Sequence, residues 1–471
     1  MTLFEPGRTC WRIEQAERAA LLVDNQAYYA ALFAALNAAK RSILILGWAF
    51  DPRTRLSPDG SEGPSDPDEV GRILIGLCQA KPGLKVHILV WKSTLGINGR
   101  QDFRGHRAKR WFAKTAVQFR EAHDVPFGAS HHQKIVVIDD RLAFCGGGDI
   151  VTDRWDSLSH LDLDPRRILP DRARYPARHE VMMMVEGGIA SALSALFRTR
   201  WEDATGEKLV LAGPASVSLW PASVSPQFAD VKVAIARTQP GWKRRPLVDE
   251  IRQLTVSCIA SAQRVIYLEN QYFACAAVAD ALAARLAEPN GPEVLLILSG
   301  HAPSWFDQLT MDHARNPLIR RLRAADTYGR FRALSPRTSK GTGIIVHSKV
   351  GVFDDRVMRV GSANLNNRSE GFDTECDLAI EANNAAARRS IVRLRDVLLS
   401  HYLACSPAVF AEARIAEGGL VAAIDRLNRR GRLAQITTGK VTRWEILVGR
   451  QHLGDPGDVK ESWRPRRRDY P

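Results

Sequence analysis

The chain has 471 residues, 45% hydrophobic and 25% charged, which excludes a wholly disordered, collagen-like or coiled-coil protein. That length buries a large core without disulfide or metal staples. Its 66 Lys and Arg against 52 Asp and Glu leave a net charge of +14, which favours phosphate esters, nucleic acid or an acidic membrane surface as partners.

Taken in order, the elements repeat once. Leu22-Val23-Asp24 opens an Ala-rich helical stretch to Lys40, and a strand from Ser42 to Leu46 follows. A Gly-led strand runs from Gly83 to Val90, and the basic, helix-prone segment His106–Lys114 comes after it. His132-Gln-Lys134 then leads an apolar run ending at Asp139, with Gly146-Gly147 beyond, and the strand Glu180–Glu186 closes the first set. The second set has the same parts. They are Leu247-Val248-Asp249 with a helix to Arg264, the strand from Val265 to Leu268, and the Gly-led strand Gly291–Leu298. His347-Ser-Lys349 with Asp354, Gly361-Ser362 and the strand Glu375–Glu381 follow. Helices alternating with short, continuous apolar runs predict α/β layers around largely buried sheets. The expected organisation is an N-terminal half at 1–205, a linker at 206–246, a C-terminal half at 247–405, and a basic tail at 406–471. The tail is expected to hold a helix from Leu420 to Arg430 and the run Arg464–Arg468.

Both central segments read HxKxxxxD, and the small pair begins seven residues after the Asp in each. Residues i and i+2 of a strand share a face, so His132 projects with Lys134 and His347 with Lys349. Two such pairs brought together by a repeat supply what cleavage of a phosphodiester needs. Imidazole serves as nucleophile or proton donor near neutral pH. Lys134 and Lys349 neutralise charge as it develops. Glu180 and Glu375 begin strands at matching places, and each is expected to hold the histidine of its own half by one ring nitrogen. Asp139 and Asp354, at the far strand ends, are expected to orient neighbours.

At these residues the sequence resembles the phospholipase D superfamily, whose members carry two HKD motifs in one chain. The resemblance covers most of residues 20–405. It rests on His131-His132-Gln133-Lys134 with Asp139, Gly146-Gly147-Gly148-Asp149 and Arg154-Trp155-Asp156. Tyr267-Leu-Glu-Asn-Gln-Tyr-Phe273 and Gly361-Ser-Ala-Asn364 with Asn366 and Arg368-Ser369 extend it. It implies two similar α-β-α sandwich halves packed with pseudo-twofold symmetry and one active site at their junction. It implies catalytic His132, Lys134, Asp139, His347, Lys349 and Asp354, phosphate contacts from Lys134, Lys349 and Asn364, and no metal or other cofactor. His132 attacks phosphorus to give a phosphohistidine, and His347 protonates the leaving alcohol. Asp149 stands where the second motif has Asn364, so the phosphate-contact role is carried only to Asn364.

Glu180 follows His132 by 48 positions, whereas Glu375 follows His347 by 28, so the first half carries an insertion around 156–178. It is expected to form a lid, a headgroup wall or a surface loop. His160 within it has no assigned role, and Asp162 and Asp164 lack the wider pattern of a cation site. Trp111, Trp242, Trp305 and Trp463 lie beside basic residues or in loops, where lipid access or ordinary packing would place them. Seven single cysteines without CxxC spacing fit a reducing compartment. No run reaches the length of a membrane span, and residues 1–14 lack a signal peptide's apolar core. A cytoplasmic or peripheral-membrane monomer is expected, with secretion left open, acting on phospholipid, touching anionic membrane surfaces, and needing no nucleic acid.

The expected activity is metal-independent hydrolysis of glycerophospholipid headgroups to phosphatidate and alcohol. The rivals are a phosphatidyltransferase of the cardiolipin synthase kind, a nuclease of the same superfamily, and a catalytically dead binding module. Cardiolipin synthases usually carry N-terminal membrane spans, and the Asn270–Phe273 region fits them less well.

Overall fold

A computed structural model describes residues 2–58, 68–93, 99–301, 311–438, 454–457 and 459. Trp305, Trp463 and Arg464–Arg468 lie outside the described residues. A single 16-stranded sheet runs through both halves. At its seam the long strands Arg12–Val23 and Phe228–Gln239 pair antiparallel. Outward from Arg12–Val23 come Val181–Glu186, Leu142–Gly146, Ile135–Ile138, Ser42–Gly47, Lys85–Trp91 and Gln118–Ala122. Outward from Phe228–Gln239 come Glu375–Glu381, Val357–Gly361, Val350–Phe353, Val265–Asn270, Glu293–Leu298 and Phe331–Pro336. The order is the same on both sides, which is the repeat expressed as topology.

Strand alternation builds three layers. Leu44, Leu46, Ile135 and Val137 face one core, which continues into the second half through Leu295, Ile297, Val350 and Val352. Helices Gly188–Thr205 and Ala385–Ser400 cover it with Leu193, Phe197, Ile391 and Leu398. The intervening residues Ile43, Ile45, Val136 and Ile138 face a second core beneath helix Asp24–Ala38. A third core holds Ile266, Leu268, Val294 and Leu296 beneath helices Glu250–Ser261 and Ala276–Ala287. Strands buried on both faces read as unbroken apolar runs for this reason.

The expected linker at 206–246 is corrected in part. Phe228–Gln239 is a twelve-residue strand at the seam, with Val231, Val233 and Ile235 in the shared core. Asp230, Lys232 and Arg237 interrupt its apolar run, so composition alone read it as a connection. Its counterpart, Arg12–Val23, lies ahead of the first element recognised in the sequence except for Leu22 and Val23. The expected tail also contributes structure. Helices Pro407–Ala416 and Leu420–Leu427 precede Leu433–Gln435, which extends the sheet beside Phe331–Pro336. No helix among the described residues is long and apolar enough to cross a membrane.

Candidate functional site at the seam between the halves

Short contacts across the seam bring the two motifs together. Arg178–His179 pairs in parallel with Ile345–Val346, which sets Glu180 beside His347. An equivalent bridge joins His131 to Thr374, which sets His132 beside Glu375. The backbone N–H of His132 donates to the Thr374 carbonyl (2.9 Å), and that of His347 to the His179 carbonyl (2.8 Å).

The side chains follow this register. His132 Nδ1 lies 3.0 Å from both carboxylate oxygens of Glu375, and His347 Nδ1 lies 2.6 Å from Glu180 Oε2. The expectation that each glutamate serves its own half is therefore corrected: the carboxylates are exchanged. The cause is geometric. The extended segment leading into each glutamate runs alongside the segment leading into the other half's histidine.

Each lysine sits on its histidine's face. Lys134 Nζ donates to the His132 carbonyl (2.8 Å) and faces Asp149 Oδ2 at 3.3 Å. Lys349 Nζ donates to the His347 carbonyl and lies 3.3 Å from His347 Nδ1. Asp149 thus pairs with Lys134, and its other oxygen accepts the Trp48 and Ala49 N–H groups (2.9 and 3.1 Å). Asn364 is buried, its N–H held by Ser369 Oγ (3.0 Å), and its side-chain oxygen makes no hydrogen bond.

Burial dominates the site's electrostatics. It pushes the Glu180 carboxyl up to about 7 and the Glu375 carboxyl up to about 8, against the pull of the lysines. It brings the Lys349 ammonium down to about 7. Burial, then Lys134 and Lys349, hold His132 well below the usual imidazole value. Burial, Lys349, Arg178 and Arg154 do the same to His347. Each imidazole therefore feels both lysines, and the free site keeps both rings neutral. A bound diester anion would offset the cations that depress them.

Some contributors carry no role in the sequence reading, although Arg154, Ser362 and Ser369 lie within its motif segments. Ser362 and Ser369 donate hydroxyls to Glu375, the latter at 2.7 Å. Arg154 and Arg178 are buried and act on Glu180 and His347. Arg178 precedes Glu180 by two in an extended stretch, so period-two spacing alone could have flagged it. His131, next to His132, points away, with Nε2 on Asp124 Oδ1 at 2.9 Å.

Asp139 and Asp354, expected in the catalytic set, do not reach the histidines, because a four-residue strand separates them from the motif's start. Asp139 instead accepts the N–H groups of Lys40, Arg41 and Ser42 (2.8, 2.8 and 2.7 Å). Asp354 accepts those of Gln263, Arg264 and Val265 (2.9, 2.8 and 2.9 Å). Each caps the turn from its half's helix into the neighbouring strand, which makes it a structural residue. Asp139→Ala is expected to cost about 3 kcal/mol of stability by leaving buried donors unpaired, with a smaller loss for the less buried Asp354→Ala. Denaturant titration measures the loss, and kcat of the folded fraction should stay near wild type.

Gly147 lies close against residues of the site. A Cβ there would stand 2.4 Å from Glu180 Oε1 and 2.9 Å from the His347 carbonyl. Gly147→Ala should displace Glu180 and lower kcat by roughly tenfold or more at unchanged secondary structure, measured by kinetics beside circular dichroism.

The 156–178 insertion is fastened down. Asp156 accepts from Arg167 (2.9 Å) and from the Arg178 N–H (2.8 Å). Asp162 is taken up by Ser339 Oγ (2.9 Å) and the Lys340 N–H (3.1 Å) of the second half, and Asp164 by Arg166 (2.8 Å). Of the tryptophans, Trp111 packs against the core, and Lys243 lies over the Trp242 ring at 4.0 Å. All seven cysteines are free thiols.

A family model described as "Phospholipase D" matches residues 35–236, and one described as "Cardiolipin synthase, PLD-like domain" matches residues 255–391. The chain is 24% identical over 427 residues to phospholipase D1 of Schizosaccharomyces pombe, across 71% of this chain and 31% of that protein. It is 23% identical over 462 residues to phospholipase D2 of Bos taurus, across 76% of this chain and 48% of that protein. It spans less than half the length of either relative. Among solved structures, phosphatidylserine synthase of Haemophilus influenzae Rd KW20 has a similar fold. The TM-score is 0.58 at 14% identity, covering 88% of this chain and 96% of that one.

Proposed function

Because the chain belongs to the phospholipase D superfamily, we propose that it is a metal-independent phosphodiesterase that hydrolyses glycerophospholipid headgroups to phosphatidate and alcohol. The observation that carries this reading is the pair of exchanged His–Glu contacts, with both lysines acting on both imidazoles and Arg154 and Arg178 acting on His347. In this reading Glu375 fixes the proton on His132 Nδ1 and leaves Nε2 free to attack phosphorus. The bond from phosphorus to the headgroup oxygen breaks, and His347 gives that oxygen a proton. Water then attacks the phosphohistidine and returns a proton to His347 as phosphatidate leaves. Lys134, Lys349 and Asn364 hold the phosphoryl oxygens.

A lipid substrate agrees with the surface of the insertion. Leu158, Leu161 and Leu163 are 46, 47 and 69% exposed on a segment anchored beside the site. Peripheral contact with an anionic membrane agrees with the net charge of +14.

The test is a panel of phospholipid vesicles assayed with EDTA added at the start and a primary alcohol present. Release of headgroup with formation of phosphatidate, or of the corresponding phosphatidyl alcohol, is expected. The reading fails if no vesicle is turned over while single-stranded or duplex DNA is cut. A second reading, phosphatidyl transfer, is favoured by the match of residues 255–391 to the cardiolipin synthase description. Product analysis with glycerol or phosphatidylglycerol as acceptor separates it from hydrolysis.

A further inference from the structure

We propose that Asp24, His160, His179 and His401 form a closed, structural site for a first-row divalent metal ion, with zinc the best fit. Four separate elements supply them. Asp24 starts the helix Asp24–Ala38, His160 lies in the insertion, His179 ends the short strand at the seam, and His401 follows the helix Ala385–Ser400. One ligand atom from each falls within 4.8 Å of the others.

Three of the available atoms have no hydrogen bond: Asp24 Oδ2, His160 Nε2 and His401 Nε2. Asp24 and His160 are each only 1% exposed, so solvent does not satisfy these atoms. His160 Nε2 faces Asp24 Oδ2 at 3.4 Å. A tetrahedral ion with bonds of roughly 2.0–2.1 Å sets its ligand atoms about 3.4 Å apart, so this edge of the site is already at ligand spacing.

The surroundings of the histidines carry the argument further. A metal-bound imidazole normally donates its other N–H to a carboxylate or carbonyl, which fixes the tautomer. His160 Nδ1 is held by Asp156 Oδ2 at 2.9 Å, His179 Nε2 by Glu269 Oε2 at 3.0 Å, and His401 Nδ1 by the Val397 carbonyl at 3.3 Å. All three imidazoles thus have an outer partner and an inward nitrogen. His179 Nδ1 lies 2.9 Å from Asp24 Oδ1. The ion would replace the proton between them, releasing it to solvent.

Three imidazoles and one carboxylate suit zinc, and four protein ligands leave no open position, so the ion is structural. Its task is placement. The Asp24 N–H donates to the Glu180 carbonyl (2.7 Å), and Asp24 Oδ1 accepts the Glu180 N–H (3.1 Å). Glu269 also accepts from Ser348 Oγ (2.7 Å), the residue between His347 and Lys349. An ion here would brace the strands on both sides of His347 and pin the insertion to them.

Metal content tests this apart from turnover. The full chain, grown with added Zn²⁺ and passed over a chelating resin, should retain one zinc per chain by elemental analysis. X-ray absorption should show a nitrogen and oxygen shell with imidazole scattering and no sulfur. Asp156→Asn should weaken zinc binding by roughly 10- to 100-fold, and the pair His160→Ala with His401→Ala should abolish it. His132→Ala should keep its zinc. Should the double variant misfold, Zn²⁺ added to stripped wild-type protein must raise the thermal midpoint and release a proton. Only trace metal in zinc-loaded wild-type protein would overturn the proposal, as would unchanged zinc retention in the folded double variant.

Discussion

Replacing His132 or His347 by alanine is expected to lower phospholipid turnover by roughly 10⁴-fold, with each protein still folded. The two losses should not add. Residues that act as one unit fail together, so the double variant should be no worse than the poorer single one. A change of substrate separates the roles. An aryl phosphodiester expels a phenolate that needs little help from an acid. His347→Ala should therefore regain the first step on bis(p-nitrophenyl) phosphate, seen as a burst of p-nitrophenolate, whereas His132→Ala, lacking the attacking nitrogen, should not. Recovery in His132→Ala alone would exchange the assignments. Substantial lipid hydrolysis in both single variants would dismiss paired-histidine catalysis. Labelled phosphoryl trapped on His132 in His347→Ala quenched with alkaline detergent, which preserves the P–N bond, would locate the nucleophile directly.

Substituting the carboxylates is the second large effect. Glu375→Gln and Glu180→Gln should each reduce kcat by roughly 10²- to 10⁴-fold, because an amide can hold either imidazole tautomer where a carboxylate holds one. The exchanged partners give this a signature that a merely structural defect lacks. Nitrogen-15 spectra of labelled histidine should show the His132 tautomer disturbed by Glu375→Gln and left alone by Glu180→Gln. His347 should behave the other way round. The contacts are 3.0 Å for His132 with Glu375 and 2.6 Å for His347 with Glu180. A disturbance of His132 by Glu180→Gln alone would contradict the crossed arrangement.

The α/β layers and the two His–Lys pairs were legible in the sequence, because both rest on spacing along a single strand. Ile135–Ile138 and Val350–Phe353 are apolar on both faces, and that pattern survives without tertiary information. The choice of carboxylate was not legible. It depends on which segments lie side by side at the seam, and nothing local to Glu180 or Glu375 records that. The resemblance alone puts Asp139 and Asp354 in the catalytic set, whereas their place at the far strand ends points to orienting neighbours. Their φ angles of 51° and 55° and their three backbone donors apiece mark turn caps instead. The strand Phe228–Gln239 reads as a connection in sequence because Asp230, Lys232 and Arg237 break its apolar run. His160, left without a role, meets Asp24, His179 and His401 only after four distant segments have folded together.

The exchange of carboxylates also bears on biosynthesis. His132 is translated 243 residues before the glutamate that orients it, and Glu180 waits 167 residues for its imidazole. A first half emerging from the ribosome can close its own β-layers, yet it holds an unmatched ring and an unmatched acid. Closure of loops this long is slow and comes late. Assembly of the paired site is thus delayed until the second half has emerged as far as Glu375, and a product truncated before that point lacks the carboxylate that orients His132.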